Sequence, residues 1–127
     1  MRIVINGEFA SINEFIDANR RRHGSWSGGN EMKRRDQGMI EWQLPRWHTD
    51  RPIWIHYTFY CKNRKRDKDN IAGYFHKIFQ DALVAHHCIN NDGWKDIIGF
   101  SDKFYVDARN PRIEIEIQED REWHRKK

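Results

Sequence analysis

The segment Ile53–Cys61 constrains the fold most, because its nine residues carry bulky side chains on both faces of an extended chain. Successive side chains of a strand point to opposite sides, so Ile53, Ile55, Tyr57 and Phe59 share one face. Trp54, His56, Thr58 and Tyr60 share the other face. Bulk on both faces is typical of a strand inside a sheet, so this pattern predicts a central strand.

Shorter signals place the remaining elements around this strand. Strands are predicted at residues 2–5, around 103–106 and at 112–118, where Ile113, Ile115 and Ile117 alternate with polar residues. A capping box at Ser11 and Glu14 predicts a helix to about residue 22. Further helices are predicted at 31–44 and 70–86. The sequence therefore predicts a single α/β domain over residues 1–127, with a mixed β-sheet of about four strands and two to three helices, followed by a charged tail from residue 119.

Composition predicts a thin core and a soluble, reduced environment. Of the 127 residues, 38% are hydrophobic and 33% are charged, whereas the 13% aromatic content argues against disorder. A thin core that folds often takes apolar surface from a partner, so we expect an oligomer. No apolar run approaches the roughly 20 residues that span a bilayer. The two isolated cysteines, Cys61 and Cys88, form no disulfide framework, so we expect a cytoplasmic protein with no membrane partner.

Basic residues occur in clusters, and the net charge is +4. Each cluster has the size of a phosphate-binding patch, so the distribution favours a nucleic-acid partner without distinguishing DNA from RNA. Taken singly, such clusters are more often solvated surfaces. The candidate DNA-binding residues are Arg20, Arg21, Arg22, Lys33, Arg34, Arg35, Lys62, Arg64, Lys65, Arg66 and Lys68, with a further cluster at residues 125–127.

Two carboxylates, Asp67 and Asp69, follow the central strand directly. On an extended backbone residues two apart face the same side, so we expect these side chains to converge. Close carboxylates repel unless a cation lies between them, and oxygen ligands favour Mg²⁺. The alternative is a helix N-cap, because Asp and Asn are favoured there. The pattern Asp-x-Asp-Asn alone does not decide between the two.

Three later residues strengthen the metal interpretation. Asn70, Lys77 and Asp81 fall near one face of the predicted helix at 3.6 residues per turn. Lys77 and Asp81 could form an ordinary surface ion pair at i, i+4. Alternatively, Lys77 contacts a phosphate and Asp81 orients the lysine side chain. Asp92 lies in a predicted turn beyond the helix, where Asp is also a common turn former.

Together these residues resemble the RusA-like Holliday junction resolvases, nucleases common in phages and prophages. The family pattern is a basic residue, Asp, any residue, Asp-Asn, a helix with Lys and then Asp-x-Leu, and an Asp in a following turn. Here the matching residues are Arg66, Asp67, Asp69, Asn70, Lys77, Asp81, Leu83 and Asp92. In better-known members the Lys lies nearer the Asp-Asn pair, at the position that Gly73 occupies.

The resemblance implies a homodimer that binds a four-way DNA junction and nicks two strands symmetrically. It implies Mg²⁺ held by Asp67, Asp69 and Asp92, with Mn²⁺ expected to substitute. Lys77 would assist electrostatically, Asn70 and Asp81 would support the site, and no small-molecule cofactor is expected. A two-fold substrate is matched by two sites related by a dyad.

Competing interpretations stay open on the sequence alone. A non-catalytic DNA-binding protein explains the basic clusters without the carboxylates, and a nuclease could act on flaps, forks or duplex DNA instead. His86, His87 and Cys88 could suggest zinc, but the ligand set is incomplete, so a capped helix end is favoured. The tryptophans at positions 26, 42, 47 and 54 are expected at a dimer interface, with base stacking as the alternative.

Overall fold

The computed structural model describes residues 1–20, 22–23 and 26–121, with side chains described for 1–20 and 28–121. These residues form one α/β domain with a four-stranded mixed sheet and three helices, which confirms the predicted fold class. The strands are β1 (Arg2–Asn6), β2 (Arg22–His23), β3 (Trp26–Ser27), β4 (Ile53–Cys61), β5 (Ile97–Val106) and β6 (Arg112–Glu119). The helices are α1 (Ile12–Asn19), α2 (Gly28–Gln43) and α3 (Lys68–Ala85). None of the helices in this described part is long and apolar enough to cross a membrane.

The main sheet has the strand order β1-β6-β4-β5, so β4 is central as its two bulky faces predicted. β4 pairs with β5 in parallel, whereas β6 is antiparallel to both β4 and β1. Two parallel neighbours need a crossover connection, and α3 supplies it. Therefore α3 begins at the end of the sheet where β4 finishes and ends near the start of β5. β2 and β3 form a separate two-stranded hairpin.

One face of the sheet is buried beneath the helices. Phe75 and Phe79 of α3 pack edge-on against Tyr57, with ring centroids 5.9 and 5.7 Å apart, and Phe75 also contacts Phe59. Burial of such aromatic side chains is the main stabilising contribution in a domain with few apolar residues. The alternate residues of β4, β6 and β1 face away from the helices, and many of them are exposed.

Several element boundaries differ from the sequence prediction. β5 begins at Ile97, six positions before the predicted start, because pairing with β4 extends along its whole length although the 97–102 segment lacks alternation. α1 ends at Asn19 rather than near residue 22. α2 begins at Gly28 rather than at the predicted residue 31. A Cβ on Gly29 would lie 2.2 Å from Asn19 Oδ1, so this glycine permits the close approach of α1 and α2.

Candidate nucleic-acid and metal site

Asp67 and Asp69 lie at the end of the sheet where β4 finishes and α3 begins, and both are exposed. Asp67 is the N-cap residue of α3 with extended backbone angles (φ −69°, ψ 146°), but its side chain makes no capping hydrogen bond. Asp69 lies in the first helical turn, so the prediction of an extended backbone through both residues was wrong. The acidic side chain of Asp69 at a helix N-terminus is favoured by the helix dipole, which accounts for the earlier start.

Three cations lie next to these carboxylates along the chain and are not engaged by the described acidic groups. Arg64, Lys65 and Lys68 are exposed, and none of them has a carboxylate within 4.0 Å among the described residues. The ammonium group of Lys68 lies over the ring of Phe104, 5.8 Å from its centroid. Cations without a protein counter-ion can neutralise phosphates at little cost in lost ion pairs.

Arg66, in contrast, is held by the protein. Its guanidinium donates to the Phe9 carbonyl at 2.6 Å and to Glu14 at 3.1 Å, and it also pairs with Glu8 at 3.3 Å. Lys62 lies 3.6 Å from the same Glu8. These contacts fasten the loop after β4 to the loop after β1, so both side chains would have to exchange protein partners to bind DNA.

The other predicted basic residues form a second, more compensated group. Arg20 pairs with Asp17 at 3.8 Å, and Arg35 lies 3.6 Å from Asp36. Arg34 is exposed on α2. Arg21, the side chain of Arg22, and residues 125–127, which are also predicted to bind DNA, lie outside the described residues.

Lys77 is balanced by two carboxylates. Its ammonium group donates to Asp81 at 3.1 Å and lies 4.0 Å from Asp92. Lys33 of α2 reaches Asp81 at 3.3 Å, which links α2 to the same group. The hydrogen bond to Asp81, and then the charge of Asp92, raise the pKa of Lys77 above its ordinary value. The structure thus brings together Lys77, Asp81 and Asp92, as an ion-pair network.

Asp92 does not join Asp67 and Asp69 within one chain. Lys77 is eight positions beyond Asp69, which is about 12 Å along a helix at about 1.5 Å per residue. Because Lys77 bends toward Asp81, its neighbour Asp92 lies still further from the start of α3. Within the described residues no three His, Cys, Asp or Glu side chains form a group that could hold a metal ion. The expected meeting of three carboxylates within one protomer is therefore not found, because the α3 crossover separates the turn from the end of β4.

Gly73 lies where α3 passes close to the side chain of Ile12 at the start of α1. A Cβ at this position would lie 2.6 Å from Cδ1 of Ile12, which is the side chain that α1 packs onto α3. Real Cβ contacts are not that short, so a larger residue here would require the end of the Ile12 side chain to shift. Lys77 is the next position on nearly the same helical face, four residues along.

A cavity of about 400 Å³ opens beside the start of α3. Arg64 and Lys68 contribute charge to its wall, and Phe104 and Tyr105 contribute aromatic surface. Cys61 also lines it, and burial raises the pKa of this thiol. The sequence did not predict this cavity, because the aromatic residues arrive from β5, far along the chain, and no local pattern links them to α3.

His76 and Asp102 form another contact that the sequence did not predict. His76 Nε2 lies 2.7 Å from Asp102 Oδ1, at the seam between α3 and β5. The imidazole ring is held between Tyr57 and Phe100, with both ring centroids 4.4 Å away. This contact attaches the outermost strand of the sheet to the helix that covers its neighbour.

The end of α3 carries the residues considered for zinc. His86 is the C-cap residue, and its backbone N–H donates to the Ala82 carbonyl at 2.9 Å, as the favoured interpretation of a capped helix end requires. His87 adopts a left-handed conformation with φ 60°, and Cys88 is fully buried. The chain thus turns sharply here toward the segment that precedes β5.

A comparison of the sequence with models of known protein families finds no match. A comparison with curated proteins likewise finds no relative. The resemblance to the resolvases therefore rests on the residues of this chain alone.

Proposed function

We propose that this chain is a magnesium-dependent, structure-selective DNA endonuclease of the RusA-like kind, which resolves four-way junctions in the cytoplasm. One observation carries the proposal. Asp67 and Asp69 stand exposed at one end of α3, Asp67 without a capping bond, beside the unpaired cations Arg64, Lys65 and Lys68. Asp69 accepts the Asn70 N–H at 3.0 Å, as a residue at a structural helix end does. The uncapped carboxylate of Asp67, next to cations without counter-ions, suits a metal ion and a phosphate better than it suits a structural helix end.

In this proposal Asp67 and Asp69 hold Mg²⁺ (or Mn²⁺), with water and phosphate oxygens completing its shell. When bound, the cation would polarise the scissile phosphate and lower the pKa of a bound water. Arg64, Lys65 and Lys68 would bind the flanking DNA backbone and fix its position. Asn70, in the first turn of α3, would orient the neighbouring carboxylates.

Because Asp92 is separated from Asp69, the way in which a third carboxylate could bind the metal ion is restricted. Within one protomer the crossover helix holds them apart, so Asp92 would have to come from the second protomer of a homodimer. Lys77 and Asp81 would accompany it, since they form one ion-pair network with Asp92. A two-fold junction would then meet two sites, each shared between the protomers.

The proposal is tested by incubating the purified protein with labelled four-way junction, fork, flap and linear duplex, in Mg²⁺, Mn²⁺ or EDTA. We expect metal-dependent paired nicks at symmetric positions of the junction and little cleavage of duplex. Cleavage of forks or flaps in preference to junctions would change the substrate but keep the enzyme. Binding of junction without cleavage in either metal would overturn the nuclease assignment.

The alternative is a DNA-binding protein without catalytic activity. It is favoured by one observation: the charge of Lys77 is already balanced by Asp81 and Asp92 within the chain. In that case the four-way junction and the duplex would be bound with similar affinity, and EDTA would leave binding unchanged.

A further inference from the structure

The two edge strands of the main sheet differ in whether their outer backbone groups have partners. At the β1 edge, the side chain of Gln43 pairs with the backbone of Asn6, accepting from its N–H at 2.7 Å and donating to its carbonyl at 3.2 Å. At the other edge, β5 pairs only with β4 along its ten residues, as far as the described residues extend. A long edge strand with open backbone groups is a template for another strand.

The apolar surface of the chain is concentrated on this second edge. Four large apolar side chains of β5 are 40–53% exposed: Ile98, Phe100, Tyr105 and Val106. Trp94, three residues before the strand, is fully exposed at 100%. Together these five residues are nearly half of the large apolar side chains that the described chain exposes. Exposed apolar side chains at both ends of one edge strand indicate an interaction site rather than an ordinary surface.

We propose that β5 pairs antiparallel with β5 of a second copy, around a two-fold axis at Ser101, which joins the two sheets. Apolar residues occur at both ends of β5. Antiparallel pairing of two identical strands therefore places the apolar start of one β5 beside the apolar end of the other. This self-complementarity is what an isologous dimer requires. It favours a second copy over an unrelated partner strand, because the only charges on β5, those of Asp102 and Lys103, lie near its middle.

The charges also select the register. Directly opposite residues point to the same face of a sheet, so the two-fold axis must pass at a residue position. An axis at Asp102 or Lys103 would set like charges directly opposite, which is destabilising. An axis at Ser101 instead sets Ile98 opposite Phe104 and Gly99 opposite Lys103, with the serines facing each other. This register also sets Phe100 opposite Asp102, and it keeps residues 97–105 paired, whereas an axis at Phe100 would pair only residues 97–103.

The pairing has a consequence that rests on the proposed nuclease function. β5 starts after the turn that carries Asp92 and ends beside the cavity next to Asp67 and Asp69. Antiparallel pairing therefore sets the Asp92 end of each protomer beside the Asp67 end of the other. The same interface would place Asp92 of one protomer next to Asp67 and Asp69 of the other, so that each proposed metal site is shared between the two protomers.

The test uses opposite charges at the proposed axis. The full-length wild type, S101K, S101E, and a 1:1 mixture of the two variants are measured by sedimentation velocity without DNA or metal. We expect the wild type and the mixture at twice the 15.5 kDa chain mass, and each variant alone at the single chain mass. Val4→Lys places the same charge on the β1 edge and should stay dimeric. A monomeric wild type, or dimers that survive both single variants, would overturn the proposal.

A cross-link tests the register independently of any loss of folding. Directly opposite residues of antiparallel strands have Cα atoms about 4.5–5.5 Å apart, within the range that a disulfide spans. Ser101→Cys should therefore form a covalent dimer on mild oxidation, whereas Lys103→Cys and the wild type should not. Cross-linking of Lys103→Cys but not Ser101→Cys would contradict the register. Junction cleavage is measured separately. A protein that dimerises through β5 but does not cleave refutes only the nuclease proposal. A protein that cleaves, but whose dimer survives the β5 substitutions, refutes only this interface.

Discussion

The carboxylate of Asp92 lies 4.0 Å from the ammonium group of Lys77, near the middle of α3. The turn before β5 is thereby held against the crossover helix, far from the helix start where the other two candidate carboxylates stand. Both charges are already compensated before any cation or phosphate binds. Any role of Asp92 in metal binding therefore depends on a second chain or on exchange of this ion pair.

Asp69→Asn removes one negative charge from the proposed metal site while keeping the side-chain volume. We expect junction cleavage in Mg²⁺ to fall by roughly 100-fold or more, because the cation that stabilises the developing charge is lost. Binding of the junction in EDTA should be retained or tightened, since a repulsive charge near the phosphates is gone. Asp17→Asn, an exposed acidic residue of α1, is the control. Weakened junction binding by Asp69→Asn with unchanged cleavage would contradict the site.

Subunit mixing distinguishes a shared site from a site within one chain. Asp69→Asn and Asp92→Asn should each be inactive, but a refolded 1:1 mixture should regain single-strand nicking. Roughly a quarter of the wild-type sites should return, because half of the dimers are mixed and each has one intact site. Nicking is measured on a junction labelled on each strand in turn. A mixture as inactive as its components would place all three residues in one chain, whereas an active Asp92→Asn would remove Asp92 from the site.

The sequence predicted the fold because its strongest patterns are local. The double-faced bulk of Ile53–Cys61 identified the central strand, and the alternation of Ile113, Ile115 and Ile117 identified β6. The start of β5 was missed, because residues 97–102 have no alternation and become a strand only through pairing with β4. Tertiary pairing of this kind overrides local propensity.

The candidate site was predicted only in part, for a topological reason. Asp67 and Asp69 lie close in sequence, so their common position at the start of α3 followed from the spacing. The placement of Asp92 depends on the direction of the crossover, which sends the chain back to the opposite end of the sheet before Asp92 is reached. Glu8 and Glu14, the ion-pair partners of Arg66, likewise lie far from it in the chain, so no pattern near Arg66 in the sequence predicts them.

Trp94→Ala should weaken the dimer, because the fully exposed indole adjoins the start of β5. Burial of a tryptophan contributes on the order of 2–3 kcal/mol and a two-fold dimer buries two, which corresponds to roughly a 1,000-fold or greater rise in the dimer dissociation constant. Trp42→Ala is the matched control, since Trp42 is 90% exposed but lies on α2. Dissociation constants are obtained from sedimentation over a dilution series. An equal effect of both substitutions would remove Trp94 from the interface.

Asp36→Ala should destabilise the domain without changing the proposed site. The carboxylate of Asp36 is 2% exposed, and it accepts hydrogen bonds from the Tyr74 hydroxyl at 2.8 Å and the Ala10 N–H at 3.2 Å. Its removal leaves two buried donors unsatisfied, so we expect a loss of about 2–4 kcal/mol in the free energy of unfolding. Urea denaturation measures this loss. Asp36→Asn keeps an acceptor and should lose less; equal losses would show that the charge, rather than the hydrogen bonds, is what matters.

His48 should make stability depend on pH near neutrality. Its Nδ1 lies 2.8 Å from the His87 carbonyl and its Nε2 lies 2.9 Å from Asp50, so only the doubly protonated ring donates to both acceptors. The bond to the His87 carbonyl, and then that to Asp50, raise the pKa of His48 above its ordinary value of 6.5. A raised pKa means that the folded state binds the proton more tightly, so the stabilisation is complete below about pH 6.5 and is lost as pH rises through the raised value. Unfolding midpoints of wild type and His48→Ala should therefore differ most at low pH and converge at high pH. Because the other histidines titrate in both proteins, the difference between them isolates this ring, and a constant difference across the range would contradict the assignment.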